Sequence, residues 1–284
     1  MGGLGNQLFQ IFTCIATAIQ QKMVFMLPYD KMSGNRNTYW DSFLNYLLPF
    51  TTHNPKNNKT NQDLLRFQTY DERVFHYNKI PELNQSTRLI GYYQSYKYFD
   101  EHKTAIFKFI RLIDHLKQTI QDYPSYFTRD TNTTTLVSMH FRLGDYKNLP
   151  NYHPLLPLEY YNKALTHVVT NVNQTHHINV LYCCEKEDNT LVQQKIKELM
   201  DHNPGFTDRV SFVKVEDSIP DWKQMLIMAL CDHHIIANST FSWFSAYLNN
   251  PEQNKIVCYP SIWFGEYLKT HNTCDLCLPS WTKI

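Results

Sequence analysis

An excess charge of one sign and long apolar runs are both missing from this chain of 284 residues. Its 27 Lys and Arg nearly cancel its 26 Asp and Glu, so no overall field draws in nucleic acid or an anionic membrane, and any anion must be gathered locally. No cationic start precedes an apolar stretch at the amino terminus, where the first cation is Lys22, which argues against a secretory signal. The apolar run Met225 to Cys231 is far too short to span a bilayer, and Asn6 stands where a myristoylation signal needs Ser or Thr. A disulfide framework is missing too: the seven cysteines are irregularly spaced, and Cys274-x-x-Cys277 has no second pair to complete a zinc site. These absences predict a soluble cytoplasmic protein with reduced thiols and no membrane span.

What is present is a globular composition with 43% hydrophobic residues, enough for one large domain or two ordinary ones. Two polar stretches, Thr51 to Gln62 and Thr128 to Thr135, read as surface loops, and the second is the better domain boundary. We therefore expect domains at 1–134 and 135–284. Beyond that boundary, strands at Thr135–Phe141, Ile178–Cys184, Arg209–Val215, His234–Ala237 and Lys255–Tyr259 alternate with four helical patterns, which predicts a mostly parallel sheet covered on both faces. In the first half, Leu8 to Ile19 carries helical spacing, Arg88 to Tyr92 is a candidate strand, and Ala105 to Leu116 a candidate helix.

Three constellations point to an anion-binding site. Gly2-Gly3-Leu4-Gly5-Asn6-Gln7 opens directly into a helix, where free N–H groups and the positive helix end favour a phosphate; a capped helix start is the plainer alternative, and no strand precedes the turn. Thr135 to Tyr146 reads as a buried strand that ends in His140-Phe-Arg142-Leu-Gly144-Asp145, setting a guanidinium at a carboxyl edge. Arg142 and Asp145 are equally able to form a structural ion pair there. Asn238-Ser239-Thr240 follows another strand and starts a helix, either as a cap alone or as a phosphate seat. The aromatic cluster Tyr92, Tyr93, Tyr96, Tyr98 and Phe99 suits either sugar stacking or core packing.

GGLGNQLFQ, GYYQSYKYF at Gly91 to Phe99, HFRLGDY at His140 to Tyr146 and NSTFSWFSAYLN at Asn238 to Asn249 resemble, in order, the α-1,2-fucosyltransferase family, glycosyltransferase family 11. The resemblance implies an α/β, GT-B-like fold of two facing Rossmann-like domains, the first on the acceptor side and the second holding the donor. It implies GDP-fucose as donor substrate, a glycan acceptor of galactoside type, an α-1,2 linkage, inversion, no further cofactor and no metal. The lack of an obvious Asp-x-Asp fits that last implication, because the leaving diphosphate must then be neutralised by Arg142 and the helix after Asn238. Catalytic candidates are Arg142, Asp145 and His140, with His153 and Glu159 as further bases; Asp145 also reads as the carboxylate that orients Arg142. Donor-binding candidates are Gly3, Gly5, Asn6, Gln7, Arg142, Glu185, Asn238, Ser239, Thr240 and Phe241. The pairs His176-His177 and His233-His234 read as sheet-edge or surface residues.

The chain departs from the family at Leu143, where a second arginine is usual, and at Cys183-Cys184-Glu185, where Glu185 replaces the carboxylate expected to read a guanine edge. A relative that uses another GDP-sugar, or a non-catalytic nucleotide-sugar or glycan-binding module, is the alternative reading.

Overall fold

The computed structural model describes residues 2–249 and 255–284, and within them the chain forms two compact units. The first runs up to His115 and takes back His271–Leu278; the second holds Leu116–Thr270 and Pro279–Ile284. The sequence placed the division at 134/135. It falls earlier because the segment before Thr134 is tied into the second unit. Arg129 donates Nη2 to the Asp232 carboxylate at 2.8 Å, and the Tyr126 hydroxyl accepts the Glu216 N–H at 3.0 Å.

In the first unit, helix α1 (Leu4–Gln20) follows the glycine turn and buries Leu8, Phe9, Phe12 and Ile15 on one stripe. Strands β1 (Met32–Ser33) and β2 (Arg36–Asn37) pair antiparallel; helix α2 (Asn61–Leu65) is closed by a Thr60 and Asp63 capping box; strands β3 (Gln68–Asp71) and β4 (Thr87–Ile90) pair parallel. The helical pattern from Ala105 resolves into α3 (Lys103–Phe109) and α4 (Leu112–Asp122), not one helix, because Arg111 between them takes φ 47°.

The second unit is built on a six-stranded sheet. Strands β5 (Thr134–His140), β6 (His177–Cys183), β7 (Val210–Lys214), β8 (His233–Ile235), β9 (Val257–Tyr259) and β10 (Thr282–Lys283) are all parallel. Helices α5 (Leu158–Asn171), α6 (Asn189–Asp201), α7 (Asp221–Ala229) and α8 (Thr240–Tyr247) lie between them in the chain. The order β7-β6-β5-β8-β9-β10 is that of a doubly wound nucleotide-binding fold, with its switch point between β5 and β8. Strand alternation explains the cover on both faces: Val137, Met139, Ile178 and Val180 pack with α5 and α6, whereas Leu136, Leu181 and Cys183 pack with Ile227 and Met228 of α7. The α/β class and the mostly parallel sheet expected of a GT-B-like nucleotide-sugar domain are realised here.

The reading of His234 is overturned. His234 is fully buried, not at an edge or surface, because β8 runs between β5 and β9. Asn249 Nδ2 donates to its Nε2 at 2.8 Å, so Nδ1 carries the proton and donates to Ser138 Oγ at 2.8 Å. Burial holds its pKa well below the usual histidine range, which keeps the ring neutral.

Candidate active site at the sheet switch point

In open parallel sheets, ligands bind outside the carboxyl ends of the strands at the switch point. The residues there are those the sequence singled out. Arg142 follows β5, Glu185 follows β6, and Asn238 and Ser239 follow β8. Arg142 donates one terminal nitrogen to Glu185 Oε1 and the other to Asp145 Oδ1, and its guanidinium lies 4.8 Å from the Tyr146 ring. The structural pairing of Arg142 with Asp145 is thus real, and Glu185 joins it. Burial raises the Glu185 pKa, the Arg142 charge opposes that shift, and Glu187 adds to it.

The turn that delivers Arg142 depends on glycine at one place. Gly144 has φ +34°, and a Cβ built on it meets the Glu185 carboxylate. Asp188 anchors the same turn from beneath, accepting the Gly144 N–H at 2.7 Å and Lys147 Nζ at 2.6 Å although its own side chain is 0% exposed. Leu143 is buried in the core cluster with Phe141 and Tyr161, so its position points away from an exposed cationic role.

Tyr146 links the strand ends: its hydroxyl donates to the Asn238 carbonyl at 3.2 Å, and its ring stacks on His153 at 4.6 Å. Asn238 Nδ2 donates to the Pro154 and Trp263 carbonyls at 2.9 and 3.3 Å, while its Oδ1 is buried without a partner among the described residues. Ser239 caps α8 by accepting the Phe241 N–H at 3.3 Å, and no acidic side chain occupies the first turn, so the helix's positive end is uncompensated from within. Thr240 and Phe241 are half-buried in that turn.

The candidate bases separate by environment. His140 is buried against Phe241 with ring centroids 5.5 Å apart, and burial together with the Arg142 charge pushes its pKa down to about 3. It is a neutral ring, far from the value near working pH that suits a general base. Burial also lowers the pKa of His153, which keeps one carboxylate, Asp145, close enough to oppose the shift. Glu159 lies on the exposed face of α5, paired with Lys163 at 2.6 Å.

The glycine-turn residues belong to the first unit. Gly3 caps α1 without a side-chain hydrogen bond, and no acid occupies the helix's first turn. Asn6 Oδ1 accepts Gln94 Nε2 at 3.0 Å, joining two motifs that lie 88 residues apart, and Gln7 Nε2 donates to the Gly2 and Asn37 carbonyls at 3.0 and 2.8 Å. Gly5 is buried within α1. In the aromatic cluster, Tyr93 and Phe99 are core residues and Phe99 packs on Phe9 at 5.7 Å, whereas Tyr92 is exposed. Sequence reasoning missed Asp188 and Tyr146. Tyr146 closes the HFRLGDY motif, which was its available signal; Asp188 reaches the turn from more than 40 residues away and had none.

The family described as Glycosyl transferase family 11 matches residues 2–284, and the chain belongs to it. The Escherichia coli "O-antigen biosynthesis glycosyltransferase WbnK" is 28% identical over 206 residues, covering 69% of this chain; the chain spans 60% of that relative's length. An "Alpha-1,2-colitosyltransferase" of Escherichia coli is 27% identical over 310 aligned positions, covering 100% of this chain and 96% of the relative. Among solved structures, an Arabidopsis thaliana FUT1 mutant in complex with GDP has 11% identity and a TM-score of 0.46, covering 90% of this chain and 68% of that one. A glycosyl transferase family 9 protein from Veillonella parvula has 11% identity and a TM-score of 0.35, covering 60% of this chain and 40% of that one. No helix among the described residues is long and apolar enough to cross a membrane.

Proposed function

We propose that this chain is an inverting glycosyltransferase that moves a 6-deoxyhexosyl group, L-fucose first among the candidates, from a GDP-sugar to a galactoside hydroxyl in α-1,2 linkage. The second unit is the donor side and the first the acceptor side. The observation that carries the reading is Arg142 at the switch point of a doubly wound sheet, one strand away from the amino end of α8. A guanidinium and a helix amino end on neighbouring strands form the clamp a leaving diphosphate needs, without a divalent ion.

Donor binding replaces carboxylate contacts of Arg142 with phosphate oxygens. As the sugar acquires oxocarbenium character, negative charge grows on the departing GDP, and Arg142 stabilises that charge more than it stabilises bound donor. Asp145 then orients Arg142 or takes the acceptor proton. Asn238, Ser239, Thr240 and Phe241 line the phosphate end.

The "Alpha-1,2-colitosyltransferase" relative supports a second donor, a GDP-linked colitose, on the same machinery. Incubating the protein with GDP-fucose and a panel of galactosides, then quantifying GDP against new glycoside, tests the reading. Stoichiometric GDP and glycoside support transfer; GDP binding without turnover of either donor leaves a non-catalytic binding module and refutes it.

A further inference from the structure

Among the described residues three tyrosines are exposed, and two of them, Tyr152 at 43% and Tyr267 at 63%, stand against each other in the second unit. Their ring centroids are 5.2 Å apart at an interplanar angle of 84°, an edge-to-face pair. The comparable pair of Tyr160 with Tyr161 is buried in the core, where packing alone accounts for it. Neither hydroxyl of the exposed pair has a hydrogen-bond partner among the described residues.

The two rings sit on segments that are fastened to each other. Tyr152 belongs to the connection after β5, and Tyr267 to a turn of 3-10 helix, Glu266–Leu268, after β9. The Gly265 N–H donates to the Tyr152 carbonyl at 2.8 Å, and the Tyr267 N–H donates to the Asn151 carbonyl at 2.9 Å. Gly265 lets the two backbones come this close, since a Cβ there would run into the Pro150 and Asn151 carbonyls. Asn238 Nδ2 ties both segments to the end of β8 through the Pro154 and Trp263 carbonyls. Rings carried on backbone fixed in this way are already in place for a ligand, which then pays little for ordering them.

Aromatic contacts connect the pair to the diphosphate clamp. The Arg142 guanidinium lies 4.8 Å from the Tyr146 ring, Tyr146 stacks on His153 at 4.6 Å, and His153 meets Phe264 at 5.9 Å. His153 and Phe264 lie on the same two segments as Tyr152 and Tyr267. In the sheet order, the β9 side of β5 is opposite the β6 side, where Glu185 stands. With the nucleoside toward Glu185, the departing glycosyl group and its acceptor lie on the side of the tyrosine pair. A sugar has a face of C–H groups and a rim of hydroxyls, so an open tyrosine ring covers the face while the rim meets polar groups. Those polar groups are the two tyrosine hydroxyls and the Glu266 and Lys269 ion pair that flanks Tyr267 in sequence. A lipid surface fits less well: Lys147 and Lys269, the nearest lysines in sequence, are each paired with a carboxylate, leaving these segments no unpaired lysine or arginine for anionic headgroups.

We propose that Tyr152 and Tyr267 form a stacking subsite for a sugar of the acceptor other than the galactoside that receives the glycosyl group, so that the donor unit itself takes part in acceptor choice; this rests on the chain being a galactoside glycosyltransferase. Kinetics with methyl β-galactoside and with a galactose-terminated tetrasaccharide test it. Tyr152→Ala and Tyr267→Ala are expected to raise KM for the tetrasaccharide roughly fivefold or more and to leave kcat, the monosaccharide KM and GDP affinity within about twofold, with Tyr267→Phe near the wild type. Equal losses with both acceptors, an unchanged tetrasaccharide KM, or a Phe variant as poor as the Ala variant overturns it. If the wild type transfers to neither acceptor, the transferase reading fails by itself, and the subsite is read by NMR without turnover. The Tyr152 and Tyr267 ring signals are then expected to shift with the tetrasaccharide and not with methyl β-galactoside. Unmoved ring signals, or binding to anionic phospholipid vesicles that the double alanine variant loses, overturns the subsite.

Discussion

Arg142 at the end of β5 is held by the carboxylate of Glu185 at the end of the neighbouring strand β6, 43 residues on. The anion this guanidinium would clamp therefore meets a resident competitor. Replacing Glu185 with Gln removes the competing charge and its repulsion of an incoming diphosphate. GDP is expected to bind several-fold more tightly to Glu185→Gln, measured by calorimetry. Binding weakened by tenfold or more would mean instead that Glu185 reads the nucleoside.

The same competition has a pH signature. Burial raises the Glu185 pKa, so its carboxylate charge disfavours the folded state: the stabilising contribution of the protonated form is present below the ordinary carboxylate range and is lost as pH rises through the raised value. Protonation in that window releases Arg142. GDP affinity is expected to rise as pH falls toward it, more steeply in the wild type than in Glu185→Gln; identical pH profiles in the two proteins refute the linkage.

Gly144 allows Glu185 to approach the turn. In Gly144→Ala the added Cβ collides with that carboxylate and the residue sits at φ +34°. A loss of about 1–3 kcal/mol in unfolding free energy is expected, with weakened GDP binding. A variant of unchanged stability would show that the turn relaxes without cost.

Asp188 is fully buried while serving the Gly144 amide and Lys147. Asp188→Ala leaves a buried N–H without its acceptor, so a loss of about 2–3 kcal/mol is expected in chemical denaturation. A change within about 0.5 kcal/mol would remove Asp188 from the account.

His140 and His234 are both neutral and buried, with pKa values pushed below the usual histidine range, that of His140 to about 3. The unfolded chain takes up their protons near pH 6.5, the folded chain much later; stability is complete above that value and falls as pH drops below it. Tm is expected to decline from pH 7 to pH 5, less so in His234→Asn. Equal declines would place the loss elsewhere.

Much of the second unit was legible because its strands are covered on both faces, leaving short apolar runs such as Thr135–Phe141 between amphipathic helices. Strand order was not legible, since the position of β8 beside β5 is set by pairing across some 96 residues, as in Leu136 with Asp232. That is also why His234 read as peripheral. The candidate site was half legible: Arg142, Glu185 and Ser239 stand out at strand ends, but the hold of Glu185 on Arg142 and of Asp188 on Gly144 joins residues more than 40 positions apart. In the first unit, short strands of mixed polarity such as β3, Gln68–Asp71, carry no clear alternation to read.

The central claim is that Arg142 forks onto the donor's diphosphate and works mainly in the transition state. The most direct measurement is the steady-state kinetics of Arg142→Lys with GDP-fucose and a galactoside, with folding checked by circular dichroism. The account predicts kcat reduced by about 100-fold or more with a much smaller change in KM, because lysine keeps the charge and loses the fork. Near wild-type kcat in a folded Arg142→Lys protein would contradict it.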